Sequence, residues 1–173
     1  LGKMPALEDN GRCLAESTVI CEYIDETQPG RKLLPEGAMD RAQARLIARM
    51  ADIYVVPNVG GLFRNANPAK RNDADVQAVL ASLRKAVGDL EQFMGPGPWA
   101  GGASPGFADA IMAPNFWVIF ELLPKFGVND LFAGLPRLTR WYEALEADPV
   151  SGPMHRDYLE ALRQFLASRM KTA

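Results

Sequence analysis

Apolar residues step by three and four through Val76, Val79, Leu80, Leu83, Val87, Leu90 and Met94, which predicts one apolar stripe along a helix that Asn72 can cap. Upstream the period differs. Short apolar runs at Met4–Leu7 and Arg12–Ala15 flank Asp9-Asn10-Gly11, and an Asn-Gly pair between such runs predicts a hairpin with a primed turn. From Ser17 the spacing becomes helical, with Val19, Ile20, Tyr23 and Ile24 on one side, until Gln28-Pro29-Gly30 stops it. A first long helix is predicted from about Met39, with Ile47, Met50, Ile53 and Tyr54 on one face; Pro57 kinks or interrupts it, and a continuation reaches Phe63. The run from Phe107 to Leu123 is apolar nearly all round, as expected of a helix enclosed by other helices. Two more helices follow, roughly Leu135–Ala147 and Asp157–Met170.

These elements divide the chain. Residues 1–28 form a hairpin plus helix, and "PGRKLLPEG" within 29–37, with two prolines and two glycines, reads as a linker. Residues 38–173 form an all-α bundle of about five helices. The fold class is therefore mainly α, an all-α bundle preceded by a ββα unit.

Composition narrows the function classes. With 173 residues and 48% hydrophobic content the chain can bury a real core. A net charge of -2 without long like-charge runs lacks the footprint of a nucleic-acid binder. No apolar run in the sequence approaches the roughly 18 residues of a membrane span, and no signal peptide is evident, so a cytoplasmic protein is expected. Two cysteines without metal-ligand spacing predict neither a metal site nor a disulfide scaffold. Cys13 and Cys21 are expected to be buried packing residues, and His155 a surface group in a loop with no role.

The candidate chemistry lies at Ala15-Glu16-Ser17-Thr18. A helix start presents unpaired N–H groups and the positive end of the helix dipole, which suits a carboxylate, while Glu16 suits an ammonium. Together they fit an α-amino acid. Ser17 acting only as an N-cap is the plainer alternative. A cis Met4-Pro5 bond would turn the backbone of Met4 toward a ligand; a trans bond would not. Met50, Tyr54, Phe63, Phe116 and Phe120 can form either an apolar pocket or bundle core. Lys3 can approach a second carboxylate or remain solvated.

Taken together, "KMPALEDNG", "AESTVICEYI", the Pro/Gly linker and the helical remainder resemble the glutathione transferase family over nearly the whole chain. "PGFADAIMAPNFWVIFELLPKFG" is similar to the family's buried sixth helix. There Asp109 matches the acidic member of a capping box whose Ser/Thr position is Gly106 here; alternatively Ser104 caps, with Pro105 first in the helix. "LPRLTRWYEALEADPV" looks like the seventh helix.

The resemblance implies that residues 1–28 are the C-terminal part of a thioredoxin-like glutathione-binding domain. It implies that glutathione is cosubstrate, with the Met4 backbone beside cis-Pro5 pairing with its cysteinyl part and Glu16 and Ser17 holding its γ-glutamyl end. Lys3 would approach the glycyl carboxylate, and Met50, Tyr54, Phe63, Phe116 and Phe120 would receive a small apolar electrophile. A homodimer is implied. The family's catalytic Ser, Tyr or Cys lies in a strand–helix–strand segment that does not precede Leu1 in this sequence, so no catalytic residue is assigned and a bacterial-type enzyme lacking that segment is expected. The rivals are a specialised β-etherase, dehalogenase or isomerase, and a non-catalytic assembly module.

Overall fold

A computed structural model describes the backbone of residues 4–171, so Lys3 lies outside the described residues. β1 (Ala6–Asp9) and β2 (Arg12–Ala15) pair antiparallel, with Leu7 opposite Leu14 and Glu8 opposite Cys13. Asn10 and Gly11 take φ of 50° and 74°, the two left-handed residues that a primed two-residue turn needs. α1 (Ser17–Thr27) follows directly, and Tyr23 on it donates to the Asp9 carboxylate beside the turn.

The segment after α1 bends back on both neighbours. The Asp25 carboxylate accepts the N–H groups of Leu33 and Leu34 at 2.7 and 3.1 Å, and the Leu33 carbonyl accepts from Phe107 N–H at 3.0 Å. This ties the end of α1 to the start of α5 (Phe107–Leu122). Arg31 adds a bond to the Pro105 carbonyl at 2.7 Å.

α2 (Ala38–Met50) and α3 (Val56–Asn65) form one rod, joined by a wider π-helical turn at Ala51–Val55 in which Val56 N–H reaches back to the Ala51 carbonyl. The expected interruption at Pro57 is thus a loosened turn just before it. A proline ring collides with the carbonyl four residues earlier in a regular helix, and a wide turn relieves that contact.

α4 (Asp73–Glu91) begins at Asn72, whose side chain accepts from Asp75 N–H at 3.0 Å. Its stripe is buried at Val76, Leu80, Leu83, Val87 and Leu90. α3 meets α4 closely at Gly61, where an added Cβ would lie 2.5 Å from Val79 Cγ2. Gly61→Ala is therefore expected to destabilise by about 1–3 kcal/mol in urea titration, and Val79→Ala in the same chain to recover most of it.

α5 is the centre of the bundle, with Phe107, Met112, Phe116, Ile119 and Leu122 at most 2% exposed. By length and composition this stretch, like Ala38–Asn65, would be apolar enough to cross a bilayer, but 67% of its most apolar window is packed inside the bundle. Gly106, not Ser104, is its N-cap. The Asp109 carboxylate accepts from Gly106 N–H at 2.7 Å, from Ala100 N–H at 2.8 Å and from Trp141 Nε1–H at 2.8 Å.

α6 (Pro136–Ala147) matches expectation, whereas α7 (Ser151–Lys171) starts six residues before the expected Asp157. Asp148 explains the early start: its carboxylate accepts from Val150 and Ser151 N–H at 2.9 and 2.8 Å, and Pro153 falls in the first turn, where no N–H is required. His155 is consequently helical and 9% exposed rather than a surface loop residue. Its Nδ1 meets Glu146 at 2.7 Å, and its ring stacks on Trp117.

Arg163 forks onto Glu121 at 2.9 and 2.8 Å, joining α7 to α5, and this pairing holds the Glu121 carboxyl below its ordinary 4.5. The folded chain then binds that proton less tightly than the unfolded chain. The pair's contribution is present above pH 4.5 and is lost as pH falls through the lower folded value. Urea midpoints measured from about pH 5 down to about pH 3 should fall less steeply in Glu121→Gln than in the parent.

Candidate functional site

β2 hands the chain to α1 through Glu16, which occupies the N-cap with φ 72° and ψ 116°. A non-glycine residue held there costs about 1–3 kcal/mol, and such positions cluster at binding sites. Ser17 is the first residue inside the helix, not its cap, and no side-chain cap bond forms. Ile20 N–H is the first to find a helical carbonyl, that of Glu16 at 3.0 Å. The N–H groups of Ser17, Thr18 and Val19 therefore point off the helix end, as an anion site requires.

The second component is Met4-Pro5, whose bond is cis, with Met4 96% exposed beside β1. The hairpin and α1 thus bring Met4, Pro5, Glu16 and Ser17 onto one ββα unit, all exposed.

α2 faces this unit. A groove of about 540 Å³ runs between Leu14, Thr18 and Val19 on one side and Arg49, Asp52 and Phe107 on the other. Arg45 forks onto Glu22 at 2.9 and 2.7 Å and fixes α1 to α2 at its edge. Burial raises the Asp52 carboxyl, and the neighbouring Glu16 charge raises it further against the opposing pull of Arg49. Asp52 and Arg49 were not among the sequence candidates. The one signal for Asp52 was a carboxylate set inside the apolar run "MADIYVV".

The five expected pocket residues do not gather around one opening. Phe116 is fully buried. Phe120 is half-buried and packs edge-on to Phe132 at 5.0 Å and against Tyr142 at 4.6 Å. Met50 and Phe63 are half-buried against the core, and Tyr54 is 51% exposed. Cys13, expected to be buried, is exposed on β2. Cys21 is half-buried, and burial raises its thiol pKa, which disfavours a reactive thiolate. Among the described residues no group of three or more His, Cys, Asp or Glu is placed to hold a metal.

Residues 73–144 match the family model for the glutathione S-transferase C-terminal domain, and residues 1–26 match that for the N-terminal domain. The chain is 29% identical to glutathione S-transferase omega-1 of Sus scrofa over 89% of its own length and 61% of that protein. It is 31% identical to a probable glutathione transferase omega-2 of Caenorhabditis briggsae over 86% of its length and 60% of that protein. The chain thus spans about 60% of the length of these curated relatives. Among solved structures it is similar to Leishmania TDR1, a trimeric glutathione transferase, at 28% identity and a TM-score of 0.72, over 99% of this chain and 39% of that one.

Proposed function

The chain belongs to the glutathione S-transferase family, and from that membership we propose that it forms the γ-glutamyl half of a glutathione site in an enzyme that joins glutathione thiolate to an apolar electrophile. The observation that carries this reading is the Glu16–Ser17 corner. Glu16, with a left-handed backbone at the N-cap, stands beside three helix N–H groups that have no partner among the described residues, which is the charge pattern of an α-amino acid's two ends.

In this reading the γ-glutamyl carboxylate lies on Ser17 and the helix end, and its ammonium meets Glu16. The Met4 backbone beside cis-Pro5 pairs with the cysteinyl amides, and Lys3 approaches the glycyl carboxylate. Residues 1–28 form the glutathione-binding unit, 29–37 the linker and 38–173 the helical domain. In this reading Met50, Tyr54 and Phe63, the partly or fully exposed members of the apolar set on the α2–α3 rod, meet the electrophile. Exposed Leu46 and Ile53 on the same rod suit pairing of two copies in the cytoplasm.

Equilibrium binding of glutathione and of an analogue lacking only the γ-glutamyl amino group tests the assignment. The analogue should bind about tenfold to a hundredfold more weakly, the range for losing one charged hydrogen bond. Equal affinities would remove Glu16 from the site.

A further inference from the structure

The chain joins the hairpin to α1 through a single residue, Glu16, which belongs to neither element. A joint of one residue is a hinge unless something else holds its two arms at an angle. Burial holds them weakly. Ile20 is the one buried residue among those described in α1, Val19 and Ile24 are 50% and 44% exposed, and in the strands Leu7 and Leu14 are only half-buried.

Side-chain bonds supply the hold. Two attachments of α1 run away from the hairpin: Arg45 of α2 forks onto Glu22, and the Asp25 carboxylate accepts the N–H groups of Leu33 and Leu34. The third runs to the hairpin. The Tyr23 hydroxyl donates to Asp9 Oδ2, which is the one side-chain bond between α1 and the hairpin among the described residues. Asp9 Oδ1 accepts from Asn10 Nδ2 at 3.1 Å, so the acceptor is itself anchored in the turn. The bond to Asp9 also holds the Tyr23 hydroxyl above its ordinary 10, and the group stays a donor at neutral pH.

Position gives this bond leverage. From Ser17 to Tyr23 α1 rises about 9 Å, and from Arg12, the partner of Asp9, to Ala15 β2 runs about 10 Å. The bond therefore closes a triangle whose opposite corner is the hinge at Glu16. Met4 lies at the hinge end, just before the Ala6–Ala15 pair. The direction in which the helix end points, relative to the Met4 backbone, follows from the angle at that hinge.

We propose that Tyr23 is a positioning residue for glutathione: through Asp9 it sets the angle between α1 and the hairpin, and with it the spacing between the Glu16–Ser17 corner and the Met4 backbone that the bound tripeptide spans. The role presupposes the glutathione site proposed for that corner. A ligand that reaches only the corner does not sense the angle.

Equilibrium titration with two ligands tests it: glutathione, which spans both parts, and γ-glutamyl methylamide, which ends at the corner. Tyr23→Phe keeps the ring and removes the donor. Glutathione should then bind about tenfold more weakly, as when the aligned arrangement falls to roughly a tenth of the population, while the methylamide binds as in the parent. Asp9→Ala should reproduce this loss, and Asp9→Asn, which keeps an acceptor, should stay near the parent. Tyr23→Phe and Asp9→Ala together should do no more than either alone. A residue that only stabilised the fold would lower the urea midpoint and leave the ratio of the two affinities unchanged. Equal glutathione affinity in parent and Tyr23→Phe overturns the positioning role and leaves the glutathione site in place. So does an equal loss for both ligands, or additive losses in the double variant, which decides the matter where the methylamide binds too weakly to titrate. A parent that binds neither ligand overturns the glutathione site, and this role with it.

Discussion

Asp109→Ala is expected to lower the unfolding free energy by about 3–5 kcal/mol, the largest loss of any single substitution considered for this chain. The carboxylate is 4% exposed and accepts from three donors. Two are backbone N–H groups of the loop before α5, and the third belongs to Trp141, which is fully buried on α6. Removing it leaves two buried donors and the half-buried Gly106 N–H without an acceptor, each buried one costing about 1–3 kcal/mol if it cannot reach water, and the packing lost around the side chain adds to this. It also detaches the loop at Ala100 and α6 from the central helix together. Asp109→Asn keeps an acceptor but turns an amide NH₂ toward a donor, so roughly half the loss is expected. Thermal unfolding followed by circular dichroism should show a midpoint lower by about 10 °C for the alanine variant. A change under about 1 kcal/mol would mean that the three donors find other partners.

Glu16→Gln combined with Ser17→Ala should weaken glutathione binding about a hundredfold in calorimetric titration. The glutamine keeps the shape of Glu16 and removes the charge that meets an ammonium, a loss of about 1.5–2 kcal/mol. The alanine removes a hydroxyl donor, worth about 1 kcal/mol. Stability separates this from the plainer capping role. A capping serine costs about 1 kcal/mol when replaced by alanine, but Ser17 sits inside the helix and Glu16 holds the cap position. Ser17→Ala should therefore leave the unfolding midpoint nearly unchanged while binding falls. The reverse result would return Ser17 to a structural role.

The hairpin, the helix at Ser17 and the α4 stripe were legible because local chemistry dictates each one. Asn10-Gly11 accepts two left-handed residues at little cost, and a three-and-four stripe has one sensible burial. Short-range signals failed where a distant or uncommon partner decided the outcome. The early start of α7 depends on Asp148 presenting its carboxylate to N–H groups two and three residues on, where a Pro153-containing segment read as loop. His155 was misplaced with it, and its partners Glu146 and Trp117 lie on other helices, so no spacing announces them. The placement of Phe116 and Phe120 was beyond periodicity altogether. A helix apolar all round does not reveal which side meets a cavity, and here Phe132, Trp141 and Tyr142 converge on that side.

The wide turn at Ala51–Val55 makes the α2–α3 rod adjustable in length by one residue. A π-helical turn is an α-helix holding a single inserted residue, so shortening the chain there by one, with Pro57→Ala to admit the regular winding, closes the loop without swinging Gly61 away from Val79. The same excision inside α4 would spin everything beyond it by about 100° and unseat the stripe. In this bundle, tolerance to an indel is a local property, concentrated beside Asp52 at the edge of the groove that faces α1.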